Sequence, residues 1–565
     1  MAIRHPAPVH QASTKTPYSP IAMAACALYF LMGQAFIPRL GIEDDESLFA
    51  MPLLHPRSWE YVLRIGHSHF PLMMMSYLGT LKTLLYDPVV HIFGTGVWAT
   101  REPMLLAGTA GVWLFYLLLR RVAGERAAVT GCVLLSLDTL YLLTSCFDWG
   151  PVALQHLLFT GGAYALVRFY QERREWSLAA GCCCFGLALW DKALGEWMLS
   201  GLAVAALLVC WREIRAVLTG RRLAIAALAF TVGAMPLIVY NVARKGATFR
   251  GNFKREMNLF PQKAMMVVGT LRGEGLLGYL TDEDWQTPQP HPPQGLLQKA
   301  SAGLAEMAGQ PRYNLMLYGF AAALLLAPWA RRPGWRIILF AAIAMLVAWF
   351  QMAITAGAGG SVHHTILLWP LPIVVIAVAF AGASRRLPRG GIALLAAAIA
   401  VLGVSCLLVT NEYYRMMARN GGSLAWTDAI DPLNRYLLER RAKTVYCVDW
   451  GILDNLRLLS RGKLPLAVGM DELSGDAVVR MAGDAGNLFV GHTAEFAVFP
   501  AAGQRLLAAA QAAGYRRENL ITIADSYGRP TFQVYRFVGQ ARPAGAARGV
   551  SHGAPPAPLS ASSCP

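Results

Sequence analysis

Charge is scarce in this chain. Only 15% of the residues are Asp, Glu, Lys or Arg, against 55% hydrophobic, and the mean hydropathy is +0.40. Soluble domains carry about a quarter charged residues, so an ordinary soluble protein is excluded. Acidic charge is scarcer still: 34 acidic residues face 50 basic ones, a net charge of +16. In a soluble chain that excess would point to nucleic acid. Here most of it lies in short loops between apolar runs, where it marks topology and meets anionic headgroups, and no nucleic-acid partner is expected. No small-x-small cleavage signal follows the first apolar run, 21–38, which is therefore read as a retained span. No Gly-rich nucleotide loop and no internal repeat are visible. The ten cysteines show no metal-binding spacing, and the Cys182-Cys183-Cys184 triplet would point in different directions on a helix. A disulfide between Cys447 and Cys564 is not expected, because Cys564 lies in a low-complexity tail.

What the chain does have is apolar runs of about 16–22 residues, long enough to cross a bilayer core of roughly 30 Å as helices. The expected spans are 21–38, 98–119, 127–146, 151–169, 177–191, 195–211, 223–241, 313–330, 336–355, 365–382 and 390–410, about eleven in all. Five basic clusters separate them: RRVAGER (120–126), RFYQERREW (168–176), WREIRAVLTGRR (211–222), ARRPGWR (330–336) and SRRLPR (384–389). Lys and Arg are retained on the cytoplasmic side, so these clusters set the N-terminus inside and the C-terminus outside. The acidic cluster GIEDDES (41–47) then falls outside. The apolar segment 70–87 would reverse every later loop if it crossed, so it is laid flat at the outer interface.

The resulting organisation is a cytoplasmic tail (1–20), a membrane domain (21–410) with large outer loops 39–97 and 242–312, an outer module (411–540) and a disordered tail (541–565). In the outer module TVYCVDW, NLFVG, LITIAD and TFQVYRF read as strands, and DPLNRYLLERR, DELSGDAVVRMA and AAGQRLLAAAQAAG as helices, a small α/β domain.

Several polar groups stand at outer ends of spans. Asp44, Asp45 and Glu46 form an acid cluster suited either to capping a helix or to sharing a cation or proton. His67 and His69 share one face of an extended segment, as a metal or phosphate pair or as interfacial residues. Asp148, in SCFDWGP, is a cavity-facing acid or a turn residue. Lys192, after Asp191 and one turn before Glu196, holds a phosphate or snorkels from lipid. Asn241 is followed by Arg244 and Lys245, which bring positive charge to the outer side, against the general trend, to attract an anionic headgroup. His363 and His364, after two glycines, bind phosphate, shuttle protons or anchor the interface.

These pieces, in this order, resemble the polytopic GT-C glycosyltransferases, in particular the ArnT-like and protein O-mannosyltransferase (family 39) group. Asp45-Glu46-x-x-Phe49-Ala50 is similar to that group's Asp-Glu-x-x-Tyr-Ala, and His69-Phe70-Pro71-Leu72 to its proline-containing interfacial stretch. IFGTGVWATREPMLL (92–106) resembles the start of its second span, with Arg101 at the arginine. Asp148 falls at its second acid. FGLALWDKALG (185–195) looks like its "GLa..tKg" helix end, with Asp191 in place of the threonine. PLIVYN (236–241) and HHTILLWPLP (363–372) resemble two later spans, with His363-His364 replacing an arginine-tyrosine pair. The resemblance covers roughly residues 20–410.

The resemblance implies an α-helical polytopic membrane enzyme in a bacterial cytoplasmic (inner) membrane. It would transfer sugar from a polyprenyl-phosphate donor to a lipid, glycan or protein acceptor. Asp45 would be the general base, with Glu46 and Asp148 supporting it or helping to hold a divalent metal ion. Lys192, Arg244, His363 and His364 would neutralise the leaving lipid phosphate. The rival class is a lipid-linked sugar or polysaccharide transporter, whose signature would be repeat symmetry and broken helices at mid-membrane. A non-catalytic subunit of the same fold is a third class, against which the presence of Asp45 and Asp148 argues.

Overall fold

The computed structural model describes residues 18–54, 59–252, 254–282, 287–330, 332–470 and 475–539. The tails expected over 1–20 and 541–565 lie outside these residues, apart from 18–20. Two compact units are distinct. The larger comprises residues up to Asp431 together with Asp454–Gly462 and Asp525–Arg529, and the smaller comprises Pro432–Leu453, Lys463–Ala524 and the stretch from Pro530 onward.

The larger unit is a helical bundle. Among the described residues six helices are long and apolar enough to cross a membrane: Pro20–Arg39, Val97–Ala123, Gly220–Ala243, Pro333–Ile354, Val362–Ser384 and Gly391–Asn420. Two bent pairs raise the number to eight. Glu125–Leu137 meets Thr139–Cys146 at 58°, and Ala193–Val209 meets Trp211–Val217 at 89°. The first bend has a clear cause. Asp138 leaves helical geometry, and its carboxylate accepts the Tyr141 N–H at 2.9 Å and the Trp369 indole N–H at 3.0 Å, so it caps the second half-helix. Between apolar helices the hydrophobic effect is weak, and small residues that let backbones approach do the packing. Helices Glu175–Asp191 and Gly220–Ala243 meet in this way: a Cβ on Gly186 would strike the carbonyl oxygen of Phe230.

Each expected span overlaps a helix of the structure, but the boundaries move. The final helix runs on to Asn420, ten residues past the expected 410, because a polar continuation (NEYYRMMARN) packs Tyr413, Met416 and Met417 into the larger unit. Segment 70–87 is not one helix. Residues Tyr61–Ile65, Ser68–Met75 and Leu78–Gly79 form a three-stranded antiparallel sheet, and helix Leu81–Phe93 follows. Pro71 interrupts helical propensity and the Met-rich stretch supplies the strand. This sheet packs Met73 against Trp190, Leu237 and Tyr240.

The smaller unit is a five-stranded sheet. Leu466–Val468, Thr444–Cys447 and Asn487–His492 are parallel neighbours, and Pro530–Gly539 and Tyr515–Ala524 complete the sheet antiparallel. Helices Gly475–Gly483 and Pro500–Ala512 lay Val478, Met481 and Leu506 on Phe489, Tyr535 and Phe537. Strand Leu466–Val468 and helix Leu453–Leu459 were not anticipated; both are too short to show a period.

Candidate active site

The acid cluster begins as a capping device. Glu43 precedes helix Asp44–Leu48, and its side chain accepts the N–H groups of Asp45 (2.8 Å) and Glu46 (3.3 Å). Glu46 reaches back to the Glu43 N–H, completing a capping box. The clustered carboxylates thus start a helix, and the same turn presents Asp45.

Arg101, from the helix Val97–Ala123, fixes this loop. Its guanidinium is buried and pairs with both oxygens of Glu46, at 2.9 and 2.7 Å. It also donates to the carbonyls of Ile37 (2.7 Å), Leu40 (3.0 Å) and Gly41 (2.7 Å), and lies 4.7 Å from the centre of the Phe147 ring. Both charged partners are 1% exposed. Arg101 is therefore a structural clamp. Changing Arg101 to Met should destabilise the fold by about 3–5 kcal/mol, because Glu46 is left charged and buried. The double change with Glu46→Leu should recover much of that loss. Thermal unfolding in detergent measures both; an R101M protein as stable as the parent would sink this account.

A second buried ion pair sits beside it. Lys82 is fully buried; its ammonium donates to the Asp148 carbonyl (2.9 Å) and to the carboxylate (3.3 Å), and lies 4.2 Å from the centre of the Phe49 ring. The other Asp148 oxygen accepts the Val152 N–H at 2.9 Å. Burial outweighs Lys82 and raises the Asp148 carboxyl above its ordinary range. Laid flat at the interface, segment 70–87 would leave Lys82 among headgroups; the structure pairs it with Asp148 instead. The available signal was a single lysine in an otherwise apolar segment.

Asp45 and Lys192 are the unengaged members. The Asp45 carboxylate makes no hydrogen bond among the described residues and feels Lys192 and Lys82. Burial pushes its pKa up to about 6, with the two lysines holding it down and Asp454 adding repulsion. Asp44 faces Asp454 and is raised by burial and that repulsion. Lys192 follows the helix Glu175–Asp191 and is 4% exposed. Its backbone is tied down, bridging to Leu78 and accepting from Gln155 at 3.0 Å, while its ammonium makes no hydrogen bond among the described residues. A Cβ on Gly150 would come within 3.3 Å of that ammonium, so the glycine leaves it room. Burial lowers the Lys192 pKa to about 8 against the pull of Asp45, Asp148 and Asp191.

The His363 and His364 rings lie 4.1 Å apart, tilted at 48°, and both are in electrostatic range of Lys192. The Trp149 indole N–H donates to Nδ1 of His363 at 2.9 Å. An indole only donates, so this Nδ1 carries no proton and the ring is a neutral donor through Nε2, in place of the cation expected from sequence.

The other candidates do not join the cluster. Arg244 is exposed at the end of the helix Gly220–Ala243, where its carbonyl accepts from Arg250. The Asn241 side chain closes the following turn through Leu237 and Thr248. His67 lies exposed in the hairpin turn, and His69 pairs across it with Arg64. The expected metal set of Asp45, Glu46 and Asp148 does not fit. Glu46 is taken by Arg101 and Asp148 by Lys82 and the Val152 N–H, and among the described residues no three His, Cys, Asp or Glu side chains are arranged around one point.

Buried acids and lysines are thus grouped beside the first loop of a bundle of apolar helices. Residues 83–240 match the family described as dolichyl-phosphate-mannose-protein mannosyltransferase. No curated protein sequence matches the chain. Among solved structures, ArnT from Cupriavidus metallidurans bound to undecaprenyl phosphate is similar over 91% of this chain and 97% of its own, at 12% identity and a TM-score of 0.54. Its apo state gives 14% identity and 0.53 over the same shares. The oligosaccharyltransferase AglB from Archaeoglobus fulgidus, in complex with an inhibitory peptide and a dolichol-phosphate, gives 12% identity over 92% of this chain and 74% of that one, at 0.47, a likeness too distant to carry an argument. The fold is that of the GT-C membrane glycosyltransferases, as the sequence resemblance implied.

Proposed function

We propose that this protein transfers a sugar from a polyprenyl-phosphate donor to an acceptor hydroxyl at the outer face of a bacterial cytoplasmic membrane. The observation that supports this reading is an unengaged, half-buried carboxylate, Asp45, in electrostatic range of an unengaged, buried ammonium, Lys192. Asp45 takes the acceptor's hydroxyl proton as the oxygen attacks the anomeric carbon. The bond from that carbon to the phosphate oxygen breaks on the opposite face, and the phosphate leaves with one more negative charge. Lys192, with the Nε2–H of His363, meets that charge where it develops. The buried Lys82–Asp148 pair lies in electrostatic range of both reacting groups. The ArnT structure bound to undecaprenyl phosphate supports a lipid-linked donor.

The reading includes about eleven spans, with the N-terminus inside and the smaller unit outside, in the periplasm. A reporter active only outside should work when fused near residue 280 or after 430, and fail near 123, 172, 217, 333 or 386. An outer location for residue 217 would overturn the siting of the carboxylates. The function itself is tested with purified protein in nanodiscs and a labelled polyprenyl-phosphate sugar, together with mass spectrometry of envelope glycolipids and glycoproteins with and without the gene. Sugar appearing on an acceptor supports transfer. Movement of the intact lipid-linked sugar across vesicles without transfer would favour a transporter.

A further inference from the structure

The basic segment after helix Gly220–Ala243 takes no part in the reaction centre. Arg244, Lys245, Arg250, Lys254 and Arg255 are all exposed, and among the described residues none of the five forms an ion pair. Glu256 is the single acid between 244 and 259, and it lies 3.8 Å from the buried Lys263. A helix C-terminus attracts cations within its last turn. That accounts for Arg244 and Lys245 but not for the three cations that follow.

The segment is held at the ends of two apolar helices. Gly220–Ala243 exposes Leu228, Val232, Met235 and Val242 at helical spacing, a lipid-facing stripe that runs directly into Arg244. Farther on, the Glu256 N–H donates to the Ile354 carbonyl at 2.9 Å, and the Ala356 N–H donates to the Lys254 carbonyl at 2.7 Å. These bonds tie the cations to the end of helix Pro333–Ile354. Between the two helices the chain is fixed. Arg250 donates to the Arg244 carbonyl at 2.7 Å, the Thr248 hydroxyl to the Ser76 carbonyl at 2.6 Å and the Asn252 amide to Ser76 Oγ at 3.1 Å. Phe249 and Met257 are exposed among the cations. Open cations interleaved with apolar side chains, at the ends of lipid-facing helices, suit the headgroup layer.

Resting on the outer placement of residues 242–312, we propose that residues 244–255 form a docking surface for anionic phospholipid headgroups of the outer leaflet. Each Lys or Arg near an anionic surface favours binding by about fivefold, so two engaged cations give a preference of about tenfold or more.

The test photolabels the full-length protein in nanodiscs with phosphatidylglycerol or phosphatidylcholine carrying a diazirine in the headgroup, and maps the label by peptide. The anionic lipid should label 244–257 about tenfold more than the zwitterionic one, and the excess should shrink as salt rises. The triple change Arg250→Gln/Lys254→Gln/Arg255→Gln should cut the excess to about twofold. Arg250→Lys/Arg255→Lys, which keeps the charge, should preserve most of it. Label on the inner cluster 211–222 should be equal in every variant, which checks folding. Equal labelling of 244–257 by the two lipids, or an excess that the triple variant retains, overturns the surface. Competition by inorganic phosphate would make it a site for the free ion, and displacement by bare undecaprenyl phosphate would assign it to the donor; either overturns it too. A reporter silent near residue 280 would overturn the outer placement itself, whereas weak labelling beside an active reporter removes the docking surface alone.

Discussion

Asp45→Asn lowers turnover by about 10²-fold or more while leaving folding and membrane insertion intact. The magnitude is that of losing a general base. Folding survives because the Asp45 side chain makes no hydrogen bond that the amide would forfeit; the capping of its helix is done by Glu43. The pH profile gives an independent check. A base must be ionised, so the rate should fall as pH drops through about 6, where burial has placed Asp45. Lys192 must be protonated to meet the phosphate, so the rate should fall again as pH rises through about 8. The result is a bell whose acid limb disappears in any residual activity of D45N. Asp44→Asn should cost far less, because Asp44 faces Asp454 and not the lysines. Near-normal turnover by D45N, or an acid limb that persists in it, would remove Asp45 from the role.

Lys192→Ala should weaken binding of a polyprenyl-phosphate donor by about 10- to 100-fold, the worth of one or two hydrogen bonds to a charged group. Few substitutions at a buried lysine are as easy to interpret. The ammonium makes no hydrogen bond among the described residues, so its removal breaks none there, while Asp45, Asp148 and Asp191 lose a positive charge in electrostatic range. Arginine should restore part of the binding, since charge is kept but a compact ammonium becomes a planar fork. The double change His363→Ala/His364→Ala should also weaken the donor, by less, because His363 acts as a neutral donor. Binding to nanodisc-embedded protein, measured apart from turnover, decides the matter. Equal donor affinity in wild type, K192A and the double histidine variant would make these residues interfacial anchors.

The bundle was legible because apolar length and the one-sided placement of Arg and Lys are local properties of the sequence. The acid cluster, Arg101, Asp148 and Lys192 were legible through their order along the chain. What each one does was not. Arg101 could be placed at a motif position, but its five hydrogen bonds go to four residues of a loop whose path cannot be deduced locally. Lys82 was hidden in a segment that reads as an interfacial stretch, and only the sheet that replaces a helix there carries it to Asp148. Arg244 failed in the opposite sense: charge at a helix end looks alike whether the side chain turns inward or out to solvent. The neutral state of His363 follows from an indole more than two hundred residues away.

The Arg101 clamp has a consequence for biogenesis. The loop bearing Asp45 is among the first parts of the chain to be made, yet its anchor is on the next long helix, and a Cβ on Gly41 would collide with the backbone of Thr427, after the last span. Trp426 closes over the same guanidinium at 5.7 Å. Inserted but unfinished chains therefore lack a set reaction centre, however many helices already stand in the bilayer. A chain cut short before residue 427 keeps Asp45 and the Arg101 clamp but lacks the Thr427 backbone that packs on Gly41.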